Sequence, residues 1–450
     1  MNRFRSRTVA SVFVVMIFGV LLSISADADQ TEYYFDYVNG SDENDGTKAK
    51  PWKTLSKLEG LSLNPGDKVL FARGASFHGG VTIASSGTED APIVLTSYGD
   101  EGPAPKFTNS DPRHLNGNVF LIQGSYIIVD DLYFHNGPAA APGMSEARKM
   151  GAVFIARGAE HVTIRNNEVY DYPVGIQSYG KHVLITKNHI HDCTGFLHYP
   201  NWGPVGIMVT ASHHEISYNR IENYIATGGR WGSDGGAIEI DSDRKNPRED
   251  IEIHHNSSVG NQGFLEITKG PAKGDPRDVR VHHNISDDWQ QFILFWGGRD
   301  AVVEHNTVLC RRPANSNVHV VFTFPKGILE NIRIRNNIFA VGEGLQVFGG
   351  ESPYYSDSDF DQPRDHNLYY CLDGSVEDPC GMPLGPGDAV GDPRFVDLED
   401  FDLRLRPDSP AIDTAADSGL PFDFDDRPRI SGKAPDKGAF EFQGREKGRE

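Results

Sequence analysis

The sequence predicts an all-β chain wound as a single-stranded right-handed parallel β-helix, a solenoid with an N-terminal cap and a C-terminal tail. Two repeated phrases carry that expectation. The first is an aliphatic residue, two variable residues and an asparagine: Ile164 to Asn167, Ile185 to Asn188, Ile216 to Asn219, Ile253 to Asn256, Val281 to Asn284, Val303 to Asn306 and Ile334 to Asn337. The asparagines are 21, 31, 37, 28, 22 and 31 residues apart, a basic unit of about 21 lengthened by insertions in some copies. Units this short cannot bury their apolar faces alone and must stack. The second phrase, about nine residues later in several copies, is apolar, variable, apolar: Ile176-Gln-Ser178, Ile207-Met-Val209, Ile238-Glu-Ile240, Leu265-Glu-Ile267, Ile293-Leu-Phe295 and Leu345-Gln-Val347. Short parallel strands joined by tight turns wind right-handed.

Each phrase has a physical reason. Side chains alternate across a strand, so the flanking aliphatics of the second phrase point inward and the middle residue outward. Stacking then gathers Gln177, Met208, Glu239, Glu266, Leu294 and Gln346 into one outward column, with steps of about 4.8 Å. The asparagines are expected to be structural: asparagine tolerates left-handed backbone angles, and its amide can bond the neighbouring coil.

At the N-terminus, Arg3, Arg5 and Arg7 precede an apolar run from Val9 to Ser25 and the small residues Ala26 and Ala28. Residues 1–28 therefore read as a secretory signal cleaved after Ala28, with an uncleaved anchor as the alternative. The expected product is secreted or periplasmic, free of the membrane once cleaved. Losing three Arg and one Asp takes the formal charge from −20 to −22, which argues against nucleic acid or anionic membranes as partners. Residues 29–350 are assigned to the β-helix with its cap, and 351–450 to C-terminal coils and a tail packed on it, in one elongated monomer. Cys371 and Cys380 close a short loop and suit a disulfide in an oxidising compartment, whereas Cys193 and Cys310, four coils apart, read as buried apolar residues.

The turn formers Asn39-Gly40, Asp45-Gly46 and Pro65-Gly66 punctuate short β-runs up to the strand around Ile93 to Tyr98. This stretch resembles the N-terminal cap and first coils of exported right-handed parallel β-helix proteins, the pectate-lyase-like, carbohydrate-active group of lyases and glycosidases. Asp392-Pro393, Leu403 to Asp413 and Asp436 to Glu441 look like the tail these proteins often carry. The resemblance is specific for architecture, identifies no subfamily, and is weak for chemistry, because one fold supports many reactions.

The insertions are unevenly placed. They fall at Thr194 to Gly203, Tyr224 to Gly236, Asp241 to Asp250 and Lys269 to Asp278, all bordering the coils that carry Glu239 and Glu266. Keeping Ile238 and Ile240 inside sends Glu239 and Asp241 outward, and the next coil sends out Phe264, Glu266 and Thr268. Carboxylates gathered on one wall repel unless a proton, cation or basic group relieves them, which makes Glu239, Glu266 and Asp241 the candidate catalytic residues. A stacked Glu239–Glu266 pair suits a retaining glycosidase needing no cofactor, and Asp241 with Glu266 an inverting one. The three acids could instead hold calcium in a polysaccharide lyase, with Lys269 or Arg230 as the base. A third reading is a non-catalytic carbohydrate-binding or adhesive surface.

Tyr199, Trp202, Trp231 and Trp296 offer flat faces to sugar rings, and Arg230 and Asp234 offer polar contacts, so the expected partner is a polysaccharide or oligosaccharide. His254 and His282 occupy equivalent outward positions on adjacent coils but lack a third nearby ligand in the sequence, and no metal is assigned to them. Asp423, Asp425 and Asp426 read as solvated turns.

Overall fold

The computed structural model describes residues 30–139, 150–230, 232–242, 247–268, 275–311, 321–323, 329–342, 344–348 and 363–444. The strands form three parallel sheets that run the length of the coil, containing 14, 12 and 9 strands among the described residues. Each turn of the coil contributes one strand to each sheet, as in Val162–Arg165, Glu168–Tyr170 and Val174–Ser178, before Val183–Thr186 re-enters the first. The fold is the right-handed parallel β-helix that the two phrases imply.

The asparagines form a continuous buried ladder. The side-chain amide of Asn167 donates to the carbonyl oxygen of Asn188 at 3.0 Å, and the same bond repeats through Asn219, Asn256, Asn284, Asn306 and Asn337 at 2.9–3.0 Å. Asn367 adds a further rung that the aliphatic phrase missed, because Arg364 stands where the other copies have Ile or Val, and Asp388 closes the ladder. One detail departs from expectation. The left-handed residue is the one before each ladder asparagine, from Asn166 at φ 55° to His255 at 54° and His366 at 55°. A single residue there makes the corner between the first and second sheets, which leaves the asparagine in ordinary geometry with its amide aimed at the next coil.

Inside the coil runs one apolar core, from Phe71, Phe107 and Phe120 near the N-terminus to Phe292, Phe322 and Phe348. A second cluster lies outside the 12-stranded sheet, where Leu309, Ile338 and Leu368 are covered by Leu403, Leu405 and Phe440 of the C-terminal segment. That segment is also pinned by polar contacts: His255 Nε2 lies 2.9 Å from the carbonyl oxygen of Asp423, and Gly438 N–H donates to the Asn336 carbonyl at 2.7 Å. Asp423 is therefore no solvated turn. It is 1% exposed and accepts backbone N–H groups from Asp425, Arg427 and Glu441. All four cysteines are buried free thiols, so the Cys371–Cys380 bridge is not formed. Residues 1–28 lie outside the described residues.

Candidate active site

The strands Gly236–Ile240 and Leu265–Ile267 lie side by side in the nine-stranded sheet, with Glu239 paired directly to Glu266. Ile238, Ile240, Leu265 and Ile267 are buried, and both glutamates emerge on the outer face into a cleft of about 310 Å³. Asp241 and Asp234 line the same cleft, so four carboxylates converge. Asp234 sits on the short Ser233–Asp234 strand, which pairs with Ala226–Thr227 and folds the insertion back over the wall. Its carboxylate accepts backbone N–H groups from Gly203 at 3.1 Å and Gly235 at 2.9 Å, tying two insertions together.

Proximity of these groups shifts their acidities. Glu239 is pushed well above the usual carboxylate range by burial first, then by Asp241, Glu266 and Asp234. Glu266 is pushed up to about 7 by burial and Asp234, against the opposing effect of the Trp296 indole N–H, which donates to its Oε1 at 2.8 Å. Burial likewise raises Asp234. The donor set is oxygen only, which suits a hard cation such as calcium better than a transition metal.

The sequence missed Arg248 as part of the site's support. It is 1% exposed beneath the acids and donates to the carbonyl oxygens of Ile240 and Thr268, both at 2.9 Å, and to the Thr268 hydroxyl at 3.1 Å. Only the folding of its insertion brings it there. Gln291 was also missed; it lines the cleft, and its buried side-chain oxygen has no partner among the described residues. It occupies the position held by Gly236 and Gly263 in the preceding coils. At Gly263 an added Cβ would lie 2.9 Å from the Gln291 carbonyl oxygen, so the glycine makes room for it.

Other candidates fared differently. Trp202 lines the cleft, and Trp296, 40% exposed, reaches it through Glu266. Tyr199 packs edge-on against Phe196 and Arg230 bonds through its backbone to Pro200, both away from the lining residues. Trp231 and Lys269 lie outside the described residues. Phe264 does not point outward; it is fully buried and stacked on Phe292, because the chain is still turning the corner and alternation starts only at Leu265. Gln177 and Met208 are buried too, at 0% and 5% exposure, since the wall N-terminal to Glu239 is covered.

The paired histidines form a separate group. His254 and His282 stack at 4.9 Å, and His282 Nε2 is 2.9 Å from the carboxylate of Glu252. His255, His282 and His283 can offer ligand atoms within 4.8 Å of one another, a group that shares only His282 with the pair the sequence singled out. Most of their ring nitrogens are engaged, His255 Nδ1 with His254 at 2.7 Å, His282 Nδ1 with His283 Nδ1 at 2.9 Å and His282 Nε2 with Glu252, whereas His283 Nε2 is buried with no partner among the described residues.

Comparisons with known proteins agree with this architecture. The family model described as "Right handed beta helix region" matches residues 77–308. A lacto-N-biosidase of Bifidobacterium longum subsp. longum is 39% identical over 75 residues, 16% of this chain and 5% of that protein. An uncharacterized protein, YwoF, of Bacillus subtilis is 22% identical over 173 residues, 35% of either chain. The matches thus span a twentieth and about a third of these curated relatives. Among solved structures, XylC in complex with xylose superposes with a TM-score of 0.54 at 12% identity, over 92% of this chain and 99% of that one.

Proposed function

The chain belongs to the right-handed β-helix family, and from that premise we propose that it is a glycoside hydrolase acting on a polysaccharide or oligosaccharide through Glu239 and Glu266. The observation that carries this reading is the direct pairing of the two glutamates on adjacent strands, where burial and neighbouring carboxylates raise the pKa of both. Adjacent strands stand about 4.8 Å apart, close to the roughly 5–5.5 Å between the carboxyl groups of retaining glycosidases. Glu239, which burial and the carboxylates of Asp241, Glu266 and Asp234 keep protonated, is the proton donor. Glu266, whose charged form the Trp296 N–H favours, is the nucleophile.

In the first step Glu266 bonds to the anomeric carbon as the glycosidic C–O bond breaks, and Glu239 gives its proton to the departing oxygen. In the second, Glu239 takes a proton from water, whose oxygen displaces Glu266 and restores both carboxyl groups. The likeness of one segment to a lacto-N-biosidase supports a carbohydrate substrate. The competing lyase reading needs a base beside the acids, and among the described lining residues there is no Lys or Arg.

The test is a glycan panel with the wild type and Glu266→Gln. Removing a group of this kind lowers kcat by at least about 100-fold while glycan binding persists. A product absorbing in the ultraviolet through a C4–C5 double bond would decide for the lyase. Unchanged turnover in both Glu239→Gln and Glu266→Gln would discard the site. Residues 1–28 are read as a secretory signal, so the secreted protein should begin at Asp29, which N-terminal sequencing checks.

A further inference from the structure

The column of outward residues on the nine-stranded sheet is in register from coil to coil: Phe154, Gln177, Met208, Glu239, Glu266, Leu294. Phe154, Gln177 and Met208 are 5%, 0% and 5% exposed, whereas Glu239, Glu266 and Leu294 all retain accessible surface. The wall is therefore closed up to the strand immediately before Glu239 and open from Glu239 onward. The closure is a packed one. Met208 is buried with Met150, Val174, Leu197 and Val205 in a satellite core of its own, against which Trp202 packs.

The covering loop is braced and not hung free. Trp202 N–H donates to the His198 carbonyl at 2.8 Å, Arg230 N–H to the Pro200 carbonyl at 2.8 Å, and Gly203 N–H to the Asp234 carboxylate at 3.1 Å. Leu197 and Trp202 also line the cleft, so this loop forms its N-terminal end wall. An enzyme that cuts within a long chain needs an uncovered wall on both sides of its acids. Here one side is missing directly beside Glu239.

Charge narrows the occupant further. Asp234, Glu239, Asp241 and Glu266 all face the cleft, and among the described lining residues there is no Lys or Arg to offset them. A uronate or sulfated sugar brought into this field would be repelled by the ionised acids, and Arg248 beneath them is turned to the carbonyl oxygens of Ile240 and Thr268.

We infer that the site takes the free end of a glycan whose terminal sugar carries no anionic group, seats that sugar against Trp202 and Met208, and directs the rest of the chain past Trp296. The enzyme is therefore chain-end-acting and selective against uronates. This rests on the hydrolase reading above and adds the polarity of the cleft to it.

The experiment follows products by mass spectrometry from the earliest time points. The substrates are neutral oligosaccharides labelled at one end, the same chains blocked at the other end, and oligogalacturonides of matched length. The expected result is one short product of constant size from the start, a loss of rate of at least 100-fold when the free end is blocked, and a similar preference for neutral over uronate chains. The double variant Leu197→Gly, Trp202→Gly should broaden the products to internal fragments, with circular dichroism confirming that the coil persists. A ladder of mid-length fragments from the wild type, or equal rates on blocked chains, would overturn the chain-end inference while leaving the hydrolase standing. Equal turnover of oligogalacturonides would overturn the charge selectivity. Failure of every glycan to be cleaved would instead overturn the hydrolase reading, and this inference with it.

Discussion

Glu266 shows what a single residue contributes and costs. Its pKa, pushed up to about 7 from the usual 4.5, means that the folded protein keeps a proton which the unfolded chain has already released between those values. The stabilising effect of that proton is fully present below pH 4.5 and is lost as pH rises through 7. Glu266→Gln, which cannot ionise, should therefore be more stable than the wild type at pH 8 by roughly 1–3 kcal/mol and nearly equal to it at pH 4, on the scale of 1.36 kcal/mol per unit. Urea midpoints at the two pH values measure this. The same group sets the activity profile: the nucleophile must be ionised, so kcat/KM should fall on the acid side of about pH 7. A pH-independent rate between 6 and 9 would remove Glu239 and Glu266 from the chemistry.

Elements are held in place by the corner between the first and second sheets. Every copy of the first phrase places an asparagine there with its amide in four or five bonds; that of Asn256 donates to Ile216, His254 and Asn284 and accepts twice from Asn219. Asn256→Ala should lower stability by about 1–3 kcal/mol for each buried partner left unsatisfied, and Asn256→Asp should fail to replace the lost donor. Thermal unfolding of the two variants decides this. If Asn256→Ala melts like the wild type, the ladder is an ornament of the turn and not its fastening. The residue before each asparagine answers a different demand, since it alone adopts the left-handed conformation that turns the corner.

For the molecule as a whole, the C-terminal segment closes an otherwise exposed apolar face. Leu309, Ile338 and Leu368 lie under Leu403, Leu405 and Phe440, so a chain ending at Val390 should bind a hydrophobic dye and aggregate at concentrations where the full chain is soluble. Light scattering checks it. The acidic cleft supplies a second whole-protein prediction. A hydrolase built on Glu239 and Glu266 retains its turnover after dialysis against a calcium chelator, whereas a calcium-assisted lyase on the same four carboxylates would lose it. Assaying the dialysed protein with and without added calcium separates them.

How much of this was legible depended on how locally each feature is specified. The repeat of aliphatics and asparagines determined the coil, and the period-two alternation put Glu239 opposite Glu266 and outside the core, because strand geometry and stacking leave no other register that buries both sets of isoleucines and leucines. Phe264 broke the alternation only because a corner precedes its strand. What the sequence did not determine was which part of the outward column would be covered. Met208 and Glu239 occupy equivalent places in their strands, and a loop that closes over one and stops short of the other is decided by contacts between insertions distant in the chain. Arg248 beneath the acids and the end wall of Leu197 and Trp202 belong to that tertiary level, where the placement of a side chain follows from packing and no longer from period.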